Sequence, residues 1–417
     1  MQPFGQDAAA SIGGPDWLRA RRSAAETRLD AMSLPSWEEE VWRYAPIDKL
    51  DLSRFSLVED IGGEESVSVD VAALLSDFPN RAGAAVLVDG QIVHMEGDIV
   101  SRPSVEDTDT GAIGCVLDEA TDVFAEMNAA YMADPVVVQV AAGKDIEAPV
   151  VVLNVIQTSG IAVFPRLVVR CGADSSVKVL DIMSSDDGVS AFVAPVVELD
   201  NADAARLSYL NVQEFGSDIW QIASQVSSVG AQGTLKADSA AFGGAYARLR
   251  ADCRLVGRGA DGHLGAVYFG NESQTLDFRT FQDHIAPDTT SDLLFKGVLD
   301  DKSRSVYSGL IRVGKEARGT NAFQTNRNIK LSENAWAESV PNLEIETDDV
   351  RCSHASTVGP IDAEQRFYLQ SRGVPGPIAD RLIVAGFFNE VIDALAVPQL
   401  ADNLRNQIEE KLEASSV

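Results

Sequence analysis

The sequence predicts a mainly β chain with a helical region at each end. From Val136 onward, short Val-rich apolar runs follow one another every 8 to 15 residues for more than 200 residues, with Gly, Asp, Asn or Ser between them. No helical period intervenes, which excludes a sheet wound with crossover helices. Before this region, and again after Pro360, apolar residues recur at helical spacing instead.

In chain order, residues 1–14 are small and polar and are expected to be disordered. Pro15 with Asp16 favours a helix start. Trp17, Leu18, Leu29 and Met32 continue a helical pattern that Pro35 stops. Ser36 and Glu39 then have capping-box spacing, which predicts a short helix through Val41-Trp42-Arg43-Tyr44. Residues 45–116 read as mixed, with one clear hairpin signal at Ala84–Val93, where Asp89-Gly90 separates two apolar runs. Asp118 to Met132 repeats apolar residues helically through Val123, Phe124, Met127 and Ala130.

The strand region is clearest at Tyr246–Val256. Ala247, Leu249, Ala251, Cys253 and Leu255 face one way, and Arg248, Arg250, Asp252 and Arg254 the other. Asn342–Thr347 alternates in the same manner. A sandwich, a propeller and a solenoid all accommodate such strands. No blade-length repeat is present, which weighs against the propeller. Ala148-Pro149-Val150, Phe164-Pro165-Arg166 and Ala194-Pro195-Val196 each lead into a Val-rich run, as an irregularly repeated unit would. Gly257-Arg258-Gly259 and Thr320-Asn321 read as turns between strands. After Pro360, Asp362 and Gln365 open one helix that Gly373 and Pro375 stop. A second, from about Pro377 to Leu395, is apolar on most faces and must be buried by its own domain or a partner. A third carries Leu400, Leu404, Ile408 and Leu412 in one stripe. The expected division is 1–133, N-terminal helical and mixed; 134–361, β core; and 362–417, C-terminal helical.

With 63 acidic against 34 basic residues the net charge is −29, which repels phosphate backbones and anionic lipid and argues against nucleic-acid and membrane partners. No apolar stretch approaches the roughly 20 residues needed to span a bilayer, and the N-terminus lacks a signal-peptide pattern. The four cysteines, at 115, 171, 253 and 352, include no CxxC pair, so a self-contained Fe–S or zinc knuckle is excluded. Scattered cysteines fit a reducing cytoplasm. Walker, Gly-x-Ser-x-Gly and His-Glu-x-x-His patterns are absent, so no enzymatic activity is expected. Cys253 reads as core, Cys171 and Cys115 as structural, His284 as part of a solvated turn, and His94 and His263 as having nothing convergent beside them.

The stretch from Asp348 to Gly373 brings Cys352 within two residues of His354, where the chain passes from strand to helix. On an extended segment both side chains project from one face, about 7 Å apart. A thiolate beside an imidazole can bind a soft metal or form an activated nucleophile, yet two donors complete neither site. The run Asp349-Val350-Arg351-Cys352-Ser353-His354, then Thr357-Val358-Gly359, Glu364-Gln365, Phe367-Tyr368-Leu369 and Ser371-Arg372-Gly373, resembles the signature of the SufB/SufD family of iron–sulfur cluster assembly proteins. Glu40-Val41-Trp42-Arg43-Tyr44 resembles that family's N-terminal motif. Ala355-Ser356 departs from it, since the family usually has Gly-Ala there. Few cysteines and the Cys-Ser-His order place the chain on the SufD-like side.

The resemblance implies a right-handed parallel β-helix core. It also implies that Cys352 and His354 contribute to an iron or Fe–S cluster site at the junction with a SufB-like subunit. Such a cluster is transient, shared with the partner and not held stably by this chain alone. Tyr368, Leu369, Ser371, Arg372 and Gly373 would help dock a SufC-like ABC ATPase. Without the partner, the chain could pair with itself as a homodimer. Two alternatives stand beside this reading: a β-solenoid enzyme acting on polysaccharide or acyl substrates, and a purely structural homodimer.

Overall fold

The computed structural model describes residues 3–5, 7–58, 69–103, 109, 111–117, 119–395 and 400–414. Helix α1 (Asp16–Leu29) is followed by β1 (Ser56–Leu57), α2 (Val71–Leu74), β2 (Gly83–Val88), β3 (Gln91–Glu96), β4 (Val100–Ser101) and α3 (Val123–Tyr131). The strand region then runs β5 (Val136–Val140), β6 (Val150–Ile156), β7 (Ile161–Val163), β8 (Arg166–Cys171), β9 (Ser176–Ser185), β10 (Ala191–Val193), β11 (Val196–Asn201), β12 (Arg206–Glu214), β13 (Trp220–Val229) and β14 (Thr234–Ala241). It continues through β15 (Tyr246–Leu255), β16 (Asp261–Gly270), β17 (Thr275–His284), β18 (Thr290–Leu299), β19 (Arg304–Val313), β20 (Thr320–Lys330), β21 (Trp336–Ile345) and β22 (Val350–Pro360). Helices α4 (Ala363–Ser371), α5 (Gly376–Ile392) and α6 (Ala401–Ala414) close the chain.

The strands wind into a β-solenoid of about 8 turns with short helical regions at both ends. One sheet runs β21-β19-β17-β15-β13-β11-β8-β5-β4 and the other β22-β20-β18-β16-β14-β12-β9-β6-β2-β3. Tyr246, Thr275 and Arg304 stack in parallel register, a turn of 29 residues. A recurrent corner makes this winding possible. Asp174, Ala204, Gln232, Gly259, Asp288 and Gly319 each adopt positive φ where the chain leaves the first sheet for the second. Each donates its N–H to a carbonyl of the next corner, as in Ala204 N to Ala231 O at 2.8 Å and Asp288 N to Arg318 O at 2.7 Å. Only Gly259 and Gly319 take this left-handed conformation without a Cβ penalty.

Between the sheets lies an apolar interior that includes Val169, Leu199, Leu235, Cys253, Leu276 and Leu293. The outer face of the first sheet is covered by α1 and α3, through Leu29, Phe124 and Met127 against Phe164, Phe192 and Ile222. The outer face of the second sheet is covered by α5 and α6, through Val384, Phe388, Leu404, Ile408 and Leu412 against Val212, Val267 and Val298. The predicted Leu400 stripe is therefore the buried face of α6.

Several expectations need correction. The described part of residues 1–14 is ordered by contact: Phe4 meets the Tyr131 ring edge-on at 5.2 Å, and residues 8–11 form a 3-10 turn with Ala9 buried. Ser36 and Glu39 do bond, Ser36 N donating to the Glu39 carboxylate at 2.8 Å, but they lead into a 3-10 turn at Glu40–Trp42 rather than an α-helix. Helix α3 starts at Val123, capped by Asp122, whose side chain accepts from Phe124 N and Ala125 N; Asp118 lies outside the described residues. Thr320 and Asn321 open strand β20 instead of forming a turn. The Asp89-Gly90 hairpin forms as predicted, with both residues at positive φ, and its first strand also pairs in parallel with β6.

Candidate functional site

The two sheets end differently at their two extremities. At one end the antiparallel strands β3 and β4 finish the sheets. At the other, among the described residues β22 pairs only with β20 and β21 only with β19, so a full turn presents unpaired N–H and C=O groups along one side. Val340, Leu343, Ile345 and Val358 on these strands are exposed.

The site grows out of that last turn. Parallel register places Cys352 on Ala322, His354 on Gln324, Ser356 on Asn326 and Val358 on Asn328. Since Ala322, Gln324, Asn326 and Asn328 are buried between the sheets, the four residues above them face the same interior at its open mouth. Cys352 is half-buried against Ile311, Val313, Ala317 and Ala322, and burial raises its thiol pKa. The free thiol is thus no nucleophile at neutral pH unless a metal or a cation brought by another chain lowers that pKa. His354 is exposed. The predicted shared face is found, and neither group is sealed inside. Among the described residues no group of three or more His, Cys, Asp or Glu side chains could hold a metal ion. The donor set therefore suits iron only in part.

Sequence reasoning missed the layer beneath. Toward the mouth the interior turns from apolar to polar. Tyr268 donates to Asn328 Oδ1 at 2.8 Å and accepts from Asn326 Nδ2 at 3.0 Å, while the Thr280 and Tyr307 hydroxyls meet at 2.9 Å. Gln282 Nε2 donates to Ser291 Oγ at 2.7 Å. His284 belongs here and not in a solvated turn: fully buried, it touches Thr289 Oγ1 at 2.7 Å and Ser291 Oγ at 2.8 Å. Burial lowers its pKa to about 4, so it is a neutral bridge between hydroxyls. The signal was present as polar residues at alternate positions, 280, 282 and 284 on one strand and 324, 326 and 328 on another.

The other candidates are structural. Cys253 lies in the apolar interior and Cys115 is half-buried, each with its pKa pushed up to about 12 by burial. Buried Cys171 meets Ser175 Oγ at 3.1 Å. His94 and His263 each face a carboxylate two residues away, Glu96 at 3.6 Å and Asp261 at 3.2 Å.

The Trp42 motif is clamped to the outer face of the first sheet. Arg248 lies 3.8 Å from the Trp42 ring, donates to Val41 O at 3.1 Å and pairs with Asp277 at 2.9 Å, with both charges buried. Arg279 donates to Arg43 O at 3.2 Å, and Tyr44 packs on Trp336 of the edge strand β21 at 5.5 Å.

Beyond β22, α4 is capped by Asp362, which accepts from Glu364 N and Gln365 N. It leans on α5 through Arg366 and Asp380 at 2.8 Å. Among the described residues its outward side chains find no cover: Phe367 is 72% and Tyr368 58% exposed, and Ile378 and Leu382 of α5 are exposed as well. Tyr368, Leu369, Leu382 and Phe387 line a groove of about 740 Å³. Ser371 Oγ donates to Tyr368 O at 2.8 Å, the Arg372 guanidinium lies 5.4 Å from the Tyr368 ring, and Gly373 takes positive φ to end the helix. The expected docking segment thus has one exposed aromatic ring supported by its neighbours. No helix among the described residues is long and apolar enough to cross a membrane.

Fold and site define a class: a β-solenoid with one uncapped end, an incomplete donor set at that end and uncovered apolar helices beside it. The family model for the SufBD core domain of SUF-system FeS cluster assembly matches residues 154–387. An iron–sulfur cluster assembly SufBD family protein of Mycobacterium leprae is 31% identical over 405 residues, 95% of each chain. The iron–sulfur cluster assembly protein SufD of Escherichia coli is 26% identical over 392 residues, covering 91% of this chain and 89% of that protein. SufD of Bacillus subtilis is 35% identical over 158 residues, 38% of this chain and 36% of that protein. The chain belongs to the SufBD family of iron–sulfur cluster assembly proteins.

Proposed function

We propose that this chain is a non-catalytic, SufD-like component of a SufBCD-type scaffold. The observation that carries the reading is the free last turn, one of whose two unpaired edges, β22, carries Cys352 and His354. A SufB-like subunit would add its own edge strands there, satisfying the open backbone groups and covering Val340, Leu343, Ile345 and Val358. In doing so it would bring the donors this chain lacks. Iron and sulfide are cargo in this scheme, held across the junction by Cys352, His354 and groups of the other subunit. A partner's charge or bound iron would also lower the Cys352 pKa, converting an inert thiol into a ligand.

The α4–α5 hairpin would take a SufC-like ATPase through Tyr368, Leu369 and the exposed side of α5. Ser371, Arg372 and Gly373 hold that surface in shape. Closure driven by the ATPase would act on the mouth directly, since α4 follows β22 after only Ile361 and Asp362. Without the partner, two copies would meet through the same edges.

Co-expression with SufB-like and SufC-like subunits, followed by anaerobic reconstitution with Fe(II) and sulfide, tests this. A cluster absorption band that requires the SufB-like subunit and is lost in Cys352→Ala and His354→Ala is expected. Val358→Lys should release the SufB-like subunit without changing the melting temperature of the isolated chain. Full cluster incorporation in both alanine variants would overturn the reading.

A further inference from the structure

Among the described residues, the polar interior beneath the mouth holds one side chain with both of its polar atoms unmet. Gln324 projects inward from β20 and is 2% exposed, yet neither its Oε1 nor its Nε2 has a hydrogen-bond partner among the described residues. A buried carboxamide left this way is costly, and one in a natural chain calls for an explanation. Its position is built for. Gly309 faces it across the interior, and a Cβ there would collide with Gln324 Nε2 and the Tyr307 hydroxyl. The amide therefore fills the width between the sheets one layer below the opening. The next residue in its inward column is His354, in direct register on β22. Neighbouring strands are about 4.8 Å apart, within reach of two side chains that stack on one face.

We propose that Gln324 is a positioning residue for His354. When the mouth closes, Gln324 Oε1 accepts the N–H of one imidazole nitrogen, which fixes the tautomer and aims the lone pair of the other nitrogen at the open edge. A metal-binding histidine characteristically has its second ring nitrogen held by such an acceptor. No other described side chain combines burial, an unmet acceptor and a place directly beneath this ring. The inference rests on the proposed function for what His354 then binds, and the orientation itself does not.

The test uses the full chain in complex with its SufB-like subunit. Ring-nitrogen shifts of 15N-histidine-labelled protein, with His354 assigned by difference against His354→Ala, are recorded without metal. Fe(II) is then titrated anaerobically. In the wild type one His354 tautomer is expected. In Gln324→Leu a tautomer mixture and Fe(II) affinity about 10- to 100-fold weaker are expected, while the melting temperature of the isolated chain holds or rises because an unmet amide has been removed. Gln324→Glu keeps an acceptor at the same reach and should restore both the single tautomer and the affinity. An unchanged tautomer and affinity in Gln324→Leu would overturn the proposal, the amide then being only a hydrated wall. So would a fall in melting temperature with no rescue by Gln324→Glu, which marks a packing role. Unchanged Fe(II) binding in His354→Ala would instead sink the proposed function, and the tautomer result would still decide the role of Gln324.

Discussion

Asp181 offers a sharp test of how the solenoid interior tolerates charge. Its side chain is fully buried on the inward face of β9, accepting from the Tyr209 hydroxyl at 2.8 Å, Asn154 Nδ2 at 3.0 Å and Asn211 Nδ2 at 3.5 Å, and no cation among the described residues pairs with it. Burial pushes its pKa up to about 6 from the ordinary 3.8. A raised carboxyl pKa means the folded state prefers the proton. Below pH 3.8 the group is neutral in both states and costs nothing. The penalty grows as pH rises and is complete above pH 6. At about 1.36 kcal/mol per pKa unit, the full penalty is about 3 kcal/mol at pH 8, of which about 1.6 kcal/mol is already present at pH 5. Asp181→Asn removes the charge at every pH but turns an amide donor toward one of the existing donors, a pH-independent loss of about 1–2 kcal/mol. The clean quantity is therefore the change with pH. The stability difference between variant and wild type should move in favour of the variant by about 1.4 kcal/mol between pH 5 and pH 8. Urea unfolding at both pH values measures it, and both lie above the isoelectric point near 4.4. Parallel stability profiles for the two proteins would refute the reasoning, since they would mean that the buried carboxylate is ionised without penalty.

Arg248→Ala should cost about 2–3 kcal/mol, because it removes one of the two cations paired with the buried Asp277, Arg279 remaining at 2.9 Å, and strips the Trp42 ring of its cation; urea midpoints read the loss, and Arg248→Lys, which cannot reach Trp42, Val41 and Asp277 together, should recover little of it. Leu382→Glu places a charge on the uncovered side of α5, beside Tyr368, and should weaken binding of the SufC-like subunit at least about tenfold in a calorimetric titration while leaving the melting temperature within about 2 °C.

The strands were legible because one residue in two is apolar, and Tyr246–Leu255 shows this along its whole length. Their winding was not legible from pattern. The residue that makes each corner is Asp, Ala, Gln, Gly, Asp and Gly in turn, so the geometry repeats every turn while the letters do not. The family resemblance supplied the solenoid instead. The same limit explains the two misread segments. Phe4 and Ala9 sit in a polar stretch, and only the folded surface of Tyr131 and Phe164 shows why they are held. His284 has polar sequence neighbours, but its strand phase, shared with Thr280 and Gln282, carries it inward. At the mouth, Cys352 and His354 could be read as a pair from spacing alone. Gln324 could not, because it lies 30 residues away and meets His354 only through strand register.

Helix α5 is bolted to particular turns: Lys296 of β18 donates to Phe387 O at 2.7 Å and pairs with Glu390, while Val391 packs beside Gly265 of β16. Three strand intervals separate β16 from β22, so the span between that anchorage and the rim comes in fixed increments of about 4.8 Å. Gaining or losing one coil would lengthen or shorten this span by a whole increment and leave every corner intact. The number of coils therefore acts as a gauge, setting how far any push on the terminal helices must travel to reach the two donors.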